Sequence, residues 1–431
     1  MEVYNATSSS LTPFFPLYKN YEHPLTTVVA KGPTPYYQSP FLVPNSFVQQ
    51  AYQNLVTRYS ENVTEISKPL ILKEINETLV RVKDNPQEIA MFKKMLDVRF
   101  AKDVNCWYGF FGITPNNYGC DLRELIFNID GSETEEGTKL LATLRDIASS
   151  HTIQKKLHIV TDIDDTLYAN NEHKTYISGS DVSWPQKKPY PGVKEFYKQL
   201  HSLPNSTGYS TVLSATPGLL KMSKLKSPKL QFILGHEYGF VQGNERKRNM
   251  LGQVPGILDT WWKSGNNPGS SFYAGIADIK FGRFVQYARI FPERELIWIG
   301  DNGQGDVVAG VKMLNEYPNV KVFIHEVAPI TEPDERIQYF KSYSELGEKF
   351  MDLGLFTQAD VDKIINSANH ECSLTPQATE AHKNVHCRRH TGGSRGVKSK
   401  SKSKSKSKTK SKSKSKSKSK TKTKSKTKKY I

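Results

Sequence analysis

A short apolar strand that breaks off into a run of acids constrains the fold of this chain more than any other feature. Residues 157–168 read LHIVTDIDDTLY, and the apolar run stops at Asp162-Ile-Asp-Asp-Thr166. The pattern predicts a buried strand that brings carboxylates and a hydroxyl to its C-terminal end. Carboxylates gathered there repel one another and lose water, and a bound divalent cation offsets both costs. An acidic turn that caps a helix is the alternative interpretation of this motif.

Strand and helix patterns alternate from residue 157 onward. Strands are predicted at 157–162, 210–215, 296–300 and 320–326, and helices at 192–201, 279–291 and 307–316. Such alternation is typical of an α/β fold with a Rossmann-like parallel sheet covered by helices on both faces. Functional groups in such folds lie at the C-terminal ends of the strands.

The texture of the sequence divides the chain into five regions. We predict an irregular arm (1–45), a helical N-terminal region (46–150), the sheet domain (151–332), a C-terminal helical segment (333–393) with helices at 335–349 and 359–368, and a disordered tail (394–431). Within the sheet domain, residues 217–272 are punctuated by Gly and Pro and contain Trp261 and Trp262. An insertion of this length over the strand ends is the natural place for a substrate-selecting cap.

The net charge of +17 is concentrated in the tail. Residues 395–431 contain 18 of the 60 Lys and Arg residues and no acid, so that 42 basic residues face 43 acids in the remainder. A Ser-Lys and Thr-Lys repeat without apolar residues cannot form a core and is expected to be disordered. Such a tail is attracted to an anionic membrane surface or to nucleic acid, and a purely solubilising role is the alternative.

Cysteine content and the lack of long apolar runs predict an intracellular protein, cytoplasmic and at most peripheral at membranes. The sequence has four cysteines, Cys106, Cys120, Cys372 and Cys387, and no CxxC pair. We expect free thiols in a reducing compartment, no signal peptide and no membrane span. Residues 370–390 gather two of these cysteines with His370, His382, His386 and His390. A zinc site is conceivable there, but the spacing matches no standard finger, and a polar surface segment is the favoured interpretation.

Four separate segments carry the residue types that phosphoryl transfer requires. Asp162 is placed to attack phosphorus, and Asp164 to protonate the leaving oxygen and then activate water. The hydroxyls of Thr166 and Ser214 and the ammonium of Lys280, expected at the start of a helix, are candidates for binding the phosphoryl oxygens. Each residue alone has a plain structural explanation, but their order along the alternating pattern favours a common site.

The last of these segments adds two acids to the metal site. Residues 297–306 read IWIGDNGQGD, a strand that ends in Asp301 and Asp306 on a Gly-rich turn. We therefore expect Asp162, Asp164, Asp301 and Asp306 to hold a metal ion, and Mg²⁺ is the cation that prefers such oxygen ligands.

These motifs resemble those of the haloacid-dehalogenase-like (HAD-like) phosphohydrolases. The closer likeness is to the catalytic domain of the actin-patch phosphatidate phosphatases, and it rests on DIDDT at 162–166, YPGVKEF at 190–196, and Lys280 followed by FPERELIWIGD at 291–301. The likeness covers about residues 155–327 and implies a Rossmann-like sheet, Mg²⁺ dependence and a phospho-aspartyl intermediate. By matching position, Asp162 would be the nucleophile and Asp164 the acid/base.

The sequence therefore predicts a Mg²⁺-dependent phosphatase for a phosphomonoester, with phosphatidate as the leading substrate and diacylglycerol as its product. A soluble or protein phosphoester is the alternative substrate. A protein of a different class, which keeps only the fold and uses its basic tail to bind nucleic acid or an anionic membrane, is the second alternative. The identity of the leaving group is set by the cap, where no motif is recognised.

Overall fold

The computed structural model describes the chain from residue 46 to residue 387 with several gaps. The described residues are 46–60, 63, 66–104, 121–128, 130–150, 155–170, 181–214, 227–242, 271–330 and 332–387. The predicted arm, the predicted tail and most of the predicted cap, including Trp261 and Trp262, lie outside these residues, as do Cys106, Cys120 and His390.

A parallel sheet of six strands forms the centre of the molecule. The strands are β1 (Lys156–Thr161), β2 (Ser206–Ser214), β3 (Gly239–Gln242), β4 (Arg294–Asp301), β5 (Lys321–His325) and β6 (Gln338–Phe340). Their order is β3-β2-β1-β4-β5-β6, and every pairing is parallel. This order is that of doubly wound Rossmann-type sheets, in which the strand order reverses between β1 and β4. The α/β prediction is confirmed.

Both faces of the sheet are buried under helices. The helices are α1 (Phe47–Tyr59), α2 (Ser67–Arg81), α3 (Pro86–Val98), α4 (Phe100–Asp103), α5 (Leu122–Ile126), α6 (Glu135–Ser149), α7 (Val193–His201), α8 (Pro228–Leu234), α9 (Ser271–Ile290), α10 (Asp306–Glu316), α11 (Tyr343–Asp352), α12 (Gln358–Ser373) and α13 (Glu380–His386). Successive residues of β4 point to opposite faces, so Trp298 packs in one core and Ile297 and Ile299 in the other. This double burial explains the unbroken apolar run LIWI within β4.

The N-terminal helices share a core with the sheet. Apolar side chains of α1, α2, α3, α5 and α6 belong to the same buried cluster as Trp298 of β4 and Phe284 of α9. Local capping defines where these helices begin: the side chains of Ser46 and Asn85 accept hydrogen bonds from the third residue of α1 and α3, and Pro86 opens α3. The other face of the sheet is covered by α7, α8, α11 and α12.

A buried polar network fastens α3 to the sheet. The Oδ2 atom of Asp97 in α3 accepts hydrogen bonds from Arg294 (2.8 Å), Tyr287 (2.8 Å) and Tyr209 (3.0 Å). Arg294 also donates to the phenol oxygen of Tyr209 at 2.5 Å, and His158 lies 2.8 Å from that of Tyr287. Burial and the charge of Arg294 lower the pKa of His158 well below its usual value, so this imidazole is neutral. The network explains why these charged groups tolerate burial.

Removing one hydroxyl from this network tests its contribution to stability. Replacing Tyr209 with Phe leaves Asp97 and Arg294 each one hydrogen bond short in a buried site, and we expect the free energy of unfolding to fall by about 1–3 kcal/mol. Urea denaturation measures the change. Tyr317→Phe is the matched control, because no hydrogen bond of the described residues involves the Tyr317 phenol, and it should change stability by less than about 0.5 kcal/mol. Equal effects of the two variants would contradict a stabilising role for the network.

Two strands were absent from the sequence prediction. β3 and the short helix α8 fall within the predicted insertion at 217–272, so residues 228–242 belong to the sheet domain rather than to a cap. The helix predicted at 335–349 is wrong in its first part, because residues 338–340 form β6, and α11 begins only after the Ser342 cap. The helix predicted at 359–368 is confirmed as part of α12.

The C-terminal cysteines are paired rather than free. A disulfide joins Cys372, at the end of α12, to Cys387, directly after α13. The prediction of free thiols is therefore wrong for this pair. The cysteine content no longer supports a reducing compartment. A disulfide sulfur is not a thiolate ligand, so the pair cannot take part in the zinc site considered at 370–390. Every helix in the described part of the chain is too short or too polar to span a lipid bilayer.

Candidate active site

Three adjacent strands deliver the predicted site residues to one edge of the sheet. Asp162 follows β1 directly, Asp301 is the last residue of β4, and Ser214 is the last residue of β2. β1 lies between the other two strands and runs parallel to both. All three side chains are buried. The site therefore forms where the strand order reverses, which is where open α/β sheets bind ligands.

Three carboxylates converge at this edge. One oxygen from each of Asp162, Asp301 and Asp306 lies within 4.8 Å of the others, and this is the only such group of potential metal ligands among the residues that the structure describes. Asp306 opens α10, and its carboxylate approaches the backbone N–H of Asp301 at 3.4 Å. The carboxylate of Asp164, which the sequence also suggested as a metal ligand, is not part of this group.

Gly300, the penultimate residue of β4, allows this convergence. A Cβ atom placed on Gly300 would lie 2.4 Å from Oδ2 and 2.7 Å from Cβ of Asp306. No side chain can occupy that space unless Asp306 moves. The close approach of Asp306 to the end of β4 therefore requires glycine at position 300.

Lys280 lies against two of the three carboxylates. Its Nζ atom is 2.8 Å from Oδ1 of Asp162 and 2.5 Å from Oδ1 of Asp306, and its side chain is about 2% exposed. Burial opposes its charge, but the carboxylates of Asp162, Asp306 and Asp301 outweigh burial and raise its pKa. Lys280 stands in the middle of α9 rather than at the start of a helix as predicted, since α9 begins nine residues earlier at Ser271.

The charge of the cluster favours a cation. Burial raises the pKa of Asp162 to about 6, although Lys280 opposes this rise. Burial, and then repulsion from Asp306, Asp165 and Asp162, raise the pKa of Asp301 well above its usual value. When all three acids are ionised, one ammonium faces three carboxylates, and a divalent cation would neutralise the remainder.

Asp301 also has an oxygen that is available to a cation. Its Oδ1 accepts a hydrogen bond from the N–H of Gly303 at 2.6 Å, whereas its buried Oδ2 has no hydrogen-bond partner among the described residues. A buried carboxylate oxygen without a partner is costly unless a ligand fills the gap. The donor set consists of carboxylate oxygens alone, which suits Mg²⁺. The residues present therefore fit the metal that the sequence predicted.

The loop after β1 fixes the carboxylate of Asp164 through two hydrogen bonds. The Oδ1 atom of Asp164 accepts a hydrogen bond from Nδ2 of Asn170 at 3.1 Å, and Asp164 is also hydrogen bonded to the phenol of Tyr168. Burial, reinforced by the charge of Asp164, raises the pKa of Tyr168, so the phenol stays neutral and donates. Thr166 is fully buried, and its hydroxyl has no hydrogen-bond partner in the described part of the chain.

Sequence reasoning missed the residues that hold this loop in shape. Asp165 has a backbone φ of +56°, an uncommon conformation for a residue with a side chain. Its carboxylate accepts hydrogen bonds from the N–H of Asn170 (2.8 Å) and of Asp181 (3.0 Å). Its carbonyl lies 2.7 Å from Nδ1 of His325. The third acid of DIDDT was the available signal, because Asp is among the few residues that adopt a positive φ and can bond backbone N–H groups.

The arrangement can bind an oxyanion and a cation together. It combines the carboxylate of Asp162, which contacts the ammonium of Lys280, with two further acids and with Asp164, which is held by two neutral hydrogen-bond donors.

No family model, no curated protein and no solved structure matches this chain. The resemblance to the HAD-like phosphohydrolases accordingly stays a prediction from the motifs.

Proposed function

We propose that this protein is a Mg²⁺-dependent phosphatase that hydrolyses a phosphomonoester through a phosphorylated Asp162. The observation that carries the proposal is the environment of this carboxylate. Asp162 is buried at the end of the central strand, touches Lys280 and lies next to Asp301 and Asp306. With a pKa of about 6, it is mostly ionised at neutral pH, as a nucleophile must be.

The other residues take roles that follow from their positions. Lys280 neutralises charge on the phosphoryl oxygens as Asp162 attacks phosphorus. Asp164 gives a proton to the leaving oxygen and then takes one from the water that hydrolyses the acyl phosphate. The hydroxyls of Thr166 and Ser214 are the candidate donors to the phosphoryl group. The hydroxyl of Thr166, buried and without a described partner, is the better supported of the two.

Asp162, Asp301 and Asp306 would hold Mg²⁺. When bound, the ion supplies positive charge against the phosphoryl oxygens and offsets the repulsion among the three acids. The unpartnered Oδ2 of Asp301 supports this assignment.

Phosphatidate is the leading substrate in this proposal. Support comes from the likeness of the motifs to phosphatidate phosphatases and from the 18 basic residues at 395–431, which would be drawn to an anionic lipid surface. A soluble or protein phosphoester needs the same chemistry and differs only in what surrounds the site.

Phosphate release tests the reaction and the substrate together. Native protein is incubated with Mg²⁺ and either phosphatidate in mixed micelles or a panel of soluble phosphomonoesters, beside the variant Asp162→Asn. Asp278→Asn is the matched control, since Asp278 lies on the exposed side of α9 and should leave the rate unchanged. We expect release from phosphatidate that requires Mg²⁺ and falls below detection in Asp162→Asn.

Other outcomes separate the alternatives. Release only from soluble esters would keep the mechanism and replace the substrate. No release that depends on Asp162, together with salt-sensitive binding to lipid or nucleic acid that disappears on deletion of 395–431, would favour the non-catalytic binding protein.

A further inference from the structure

A chain of hydrogen bonds connects the C-terminal helices to the loop that carries Asp164. It begins at His386, the last residue of α13, which is buried and directly precedes Cys387 of the disulfide. The Nε2 atom of His386 lies 2.8 Å from Oγ of Ser183. Ser183 is more than 200 residues away in sequence, so only the tertiary fold brings the two together.

The direction of these hydrogen bonds follows from their acceptors. The hydroxyl of Ser183 donates its single proton to Oδ2 of Asp181 at 2.8 Å, because a carboxylate only accepts. His386 must therefore donate its Nε2 proton to Ser183. Burial, and then the neighbouring imidazoles of His325 and His382, lower the pKa of His386 well below its usual value, so it is neutral with its proton on Nε2. The phenol of Tyr190 donates to the same oxygen of Asp181.

The chain ends on the strained residue of the active-site loop. The backbone N–H of Asp181 donates to Oδ2 of Asp165 at 3.0 Å, and the N–H of Asn170 donates to Oδ1 of Asp165 at 2.8 Å. Asn170 in turn holds the carboxylate of Asp164 through its Nδ2. The position of Asp164 thus depends on Asp165, and Asp165 depends on Asp181.

At the far end of this chain, a disulfide ties α13 covalently to α12, in addition to the ring contacts of His386 with Trp184 and Tyr190. α13 has seven residues, and His386 is its only buried side chain. A helix this short is not stable by itself. Cys372 is buried against the core of the sheet domain, so its bond to Cys387 fixes the end of α13 next to Ser183.

We infer that Asp181, Ser183 and His386 are positioning residues for the loop of Asp164, and that the Cys372–Cys387 disulfide keeps His386 in place and makes the reaction rate sensitive to thiols. This inference rests on the proposed phosphatase function. The redox step needs a dithiol as reductant. Two electrons and two protons pass from the dithiol to the Cys372–Cys387 bond, which breaks into two thiols, and the reductant is left as a cyclic disulfide.

The first experiment compares the oxidised and the dithiothreitol-reduced full-length protein. Intact mass reports the disulfide, hydrogen exchange reports the backbone, and Mg²⁺-dependent phosphate release reports activity. On reduction we expect faster exchange in peptides covering 163–170 and 181–190, with no change at 86–98 on the opposite face of the sheet. We expect kcat to fall about tenfold with little change in KM, the usual size of effect for a partner that orients a functional group.

Variants assign the effect to the proposed residues. Cys372→Ser with Cys387→Ser should be as slow as the reduced protein and indifferent to dithiothreitol, whereas Cys106→Ser with Cys120→Ser should respond like the native protein. His386→Ala should lower kcat, and His386→Gln, whose amide can still donate to Ser183, should restore most of it.

Three results would overturn the inference. They are an oxidised protein without the Cys372–Cys387 bond, exchange at 163–170 that reduction does not change, and equal kcat values for native protein and His386→Ala. A different result would be a protein that releases no phosphate in either redox state but whose hydrogen exchange at 163–170 changes on reduction. That result would contradict the proposed phosphatase function and would support the link between the disulfide and the loop.

Discussion

Replacing Lys280 with Met should cost about 3–5 kcal/mol of stability at pH 7.5 without added metal, because it leaves three buried carboxylates with no positive partner. The pKa of Lys280 is raised in the folded protein. Its contribution to stability is therefore fully present below about pH 10.4, the value in the unfolded chain, and is lost only as the pH rises through the folded value. At pH 7.5 the whole effect should be observed. Urea denaturation followed by tryptophan fluorescence measures it.

The same variant should lose the proposed phosphatase activity. In the proposed mechanism Lys280 faces the phosphoryl oxygens, and removing its ammonium is expected to lower kcat by about 10²–10³-fold, the usual effect of losing one electrostatic contact to the transition state. The stability loss should shrink as the pH falls below about 6, because the pKa of Asp162 is already about 6 beside Lys280 and rises without the ammonium, so the acids then take up protons.

Lys312→Met is the matched control for this prediction. Lys312 forms an exposed ion pair with Asp278 on the neighbouring helices, and such pairs contribute about 0–1 kcal/mol. If Lys280→Met were as stable as Lys312→Met at pH 7.5, the three acids would not carry the charge that we assign to them.

The parts of the fold that the sequence predicts well are those with long, regular patterns. β4 contains the unbroken apolar run LIWI, β1 carries Leu157, Ile159 and Val160, and α12 has clear helical periodicity and a Thr357 cap, so their existence follows from local residues. β3 and β6 have only four and three residues, and β6 lies next to charged residues. Strands this short cannot be predicted from local sequence, because they are defined by their pairing with a neighbouring strand.

The site shows the same division. Asp162, Asp301 and Asp306 were identifiable because each follows a predicted strand, and parallel strands end at one edge of the sheet. The burial of Lys280 could not be predicted, because its ion pairs join residues that are 118 and 26 positions apart in the sequence. The roles of Asp181 and His386 depend entirely on contacts between distant segments, which no local pattern encodes.

The cost of gathering these acids leads to a second prediction with a large effect. Replacing Asp301 with Asn should stabilise the metal-free protein by about 1–4 kcal/mol at pH 8, since a buried charge is exchanged for a neutral amide of the same shape. The amide oxygen can keep the hydrogen bond from the N–H of Gly303. The new NH₂ group would stand in place of the unpartnered Oδ2 and could donate to Asp162 or Asp306.

The pH dependence of this stabilisation has a defined sign. The pKa of Asp301 is raised in the folded protein, so the native chain has its full stability from this group below about pH 3.9 and loses it as the pH rises through the folded value. The advantage of Asp301→Asn should therefore be small near pH 4 and largest at pH 8. Asp278→Asn, which replaces an exposed carboxylate on α9, should not be more stable than the native protein at pH 8.

Addition of Mg²⁺ should reverse the order of the two proteins. At about 1,000 times its dissociation constant, a ligand that binds only the folded state stabilises it by about 4.1 kcal/mol, and the native protein should gain this amount. Asp301→Asn should gain little, since it has lost the carboxylate oxygen left open for the ion. Urea denaturation at pH 8 with and without Mg²⁺ gives the four free energies. A variant that is less stable than the native protein without Mg²⁺, or one that gains as much from Mg²⁺, would show that Asp301 is not the strained ligand of a metal site. The stability that the native protein gives up at this edge of the sheet is, in our interpretation, the consequence of keeping three acids ready for a cation.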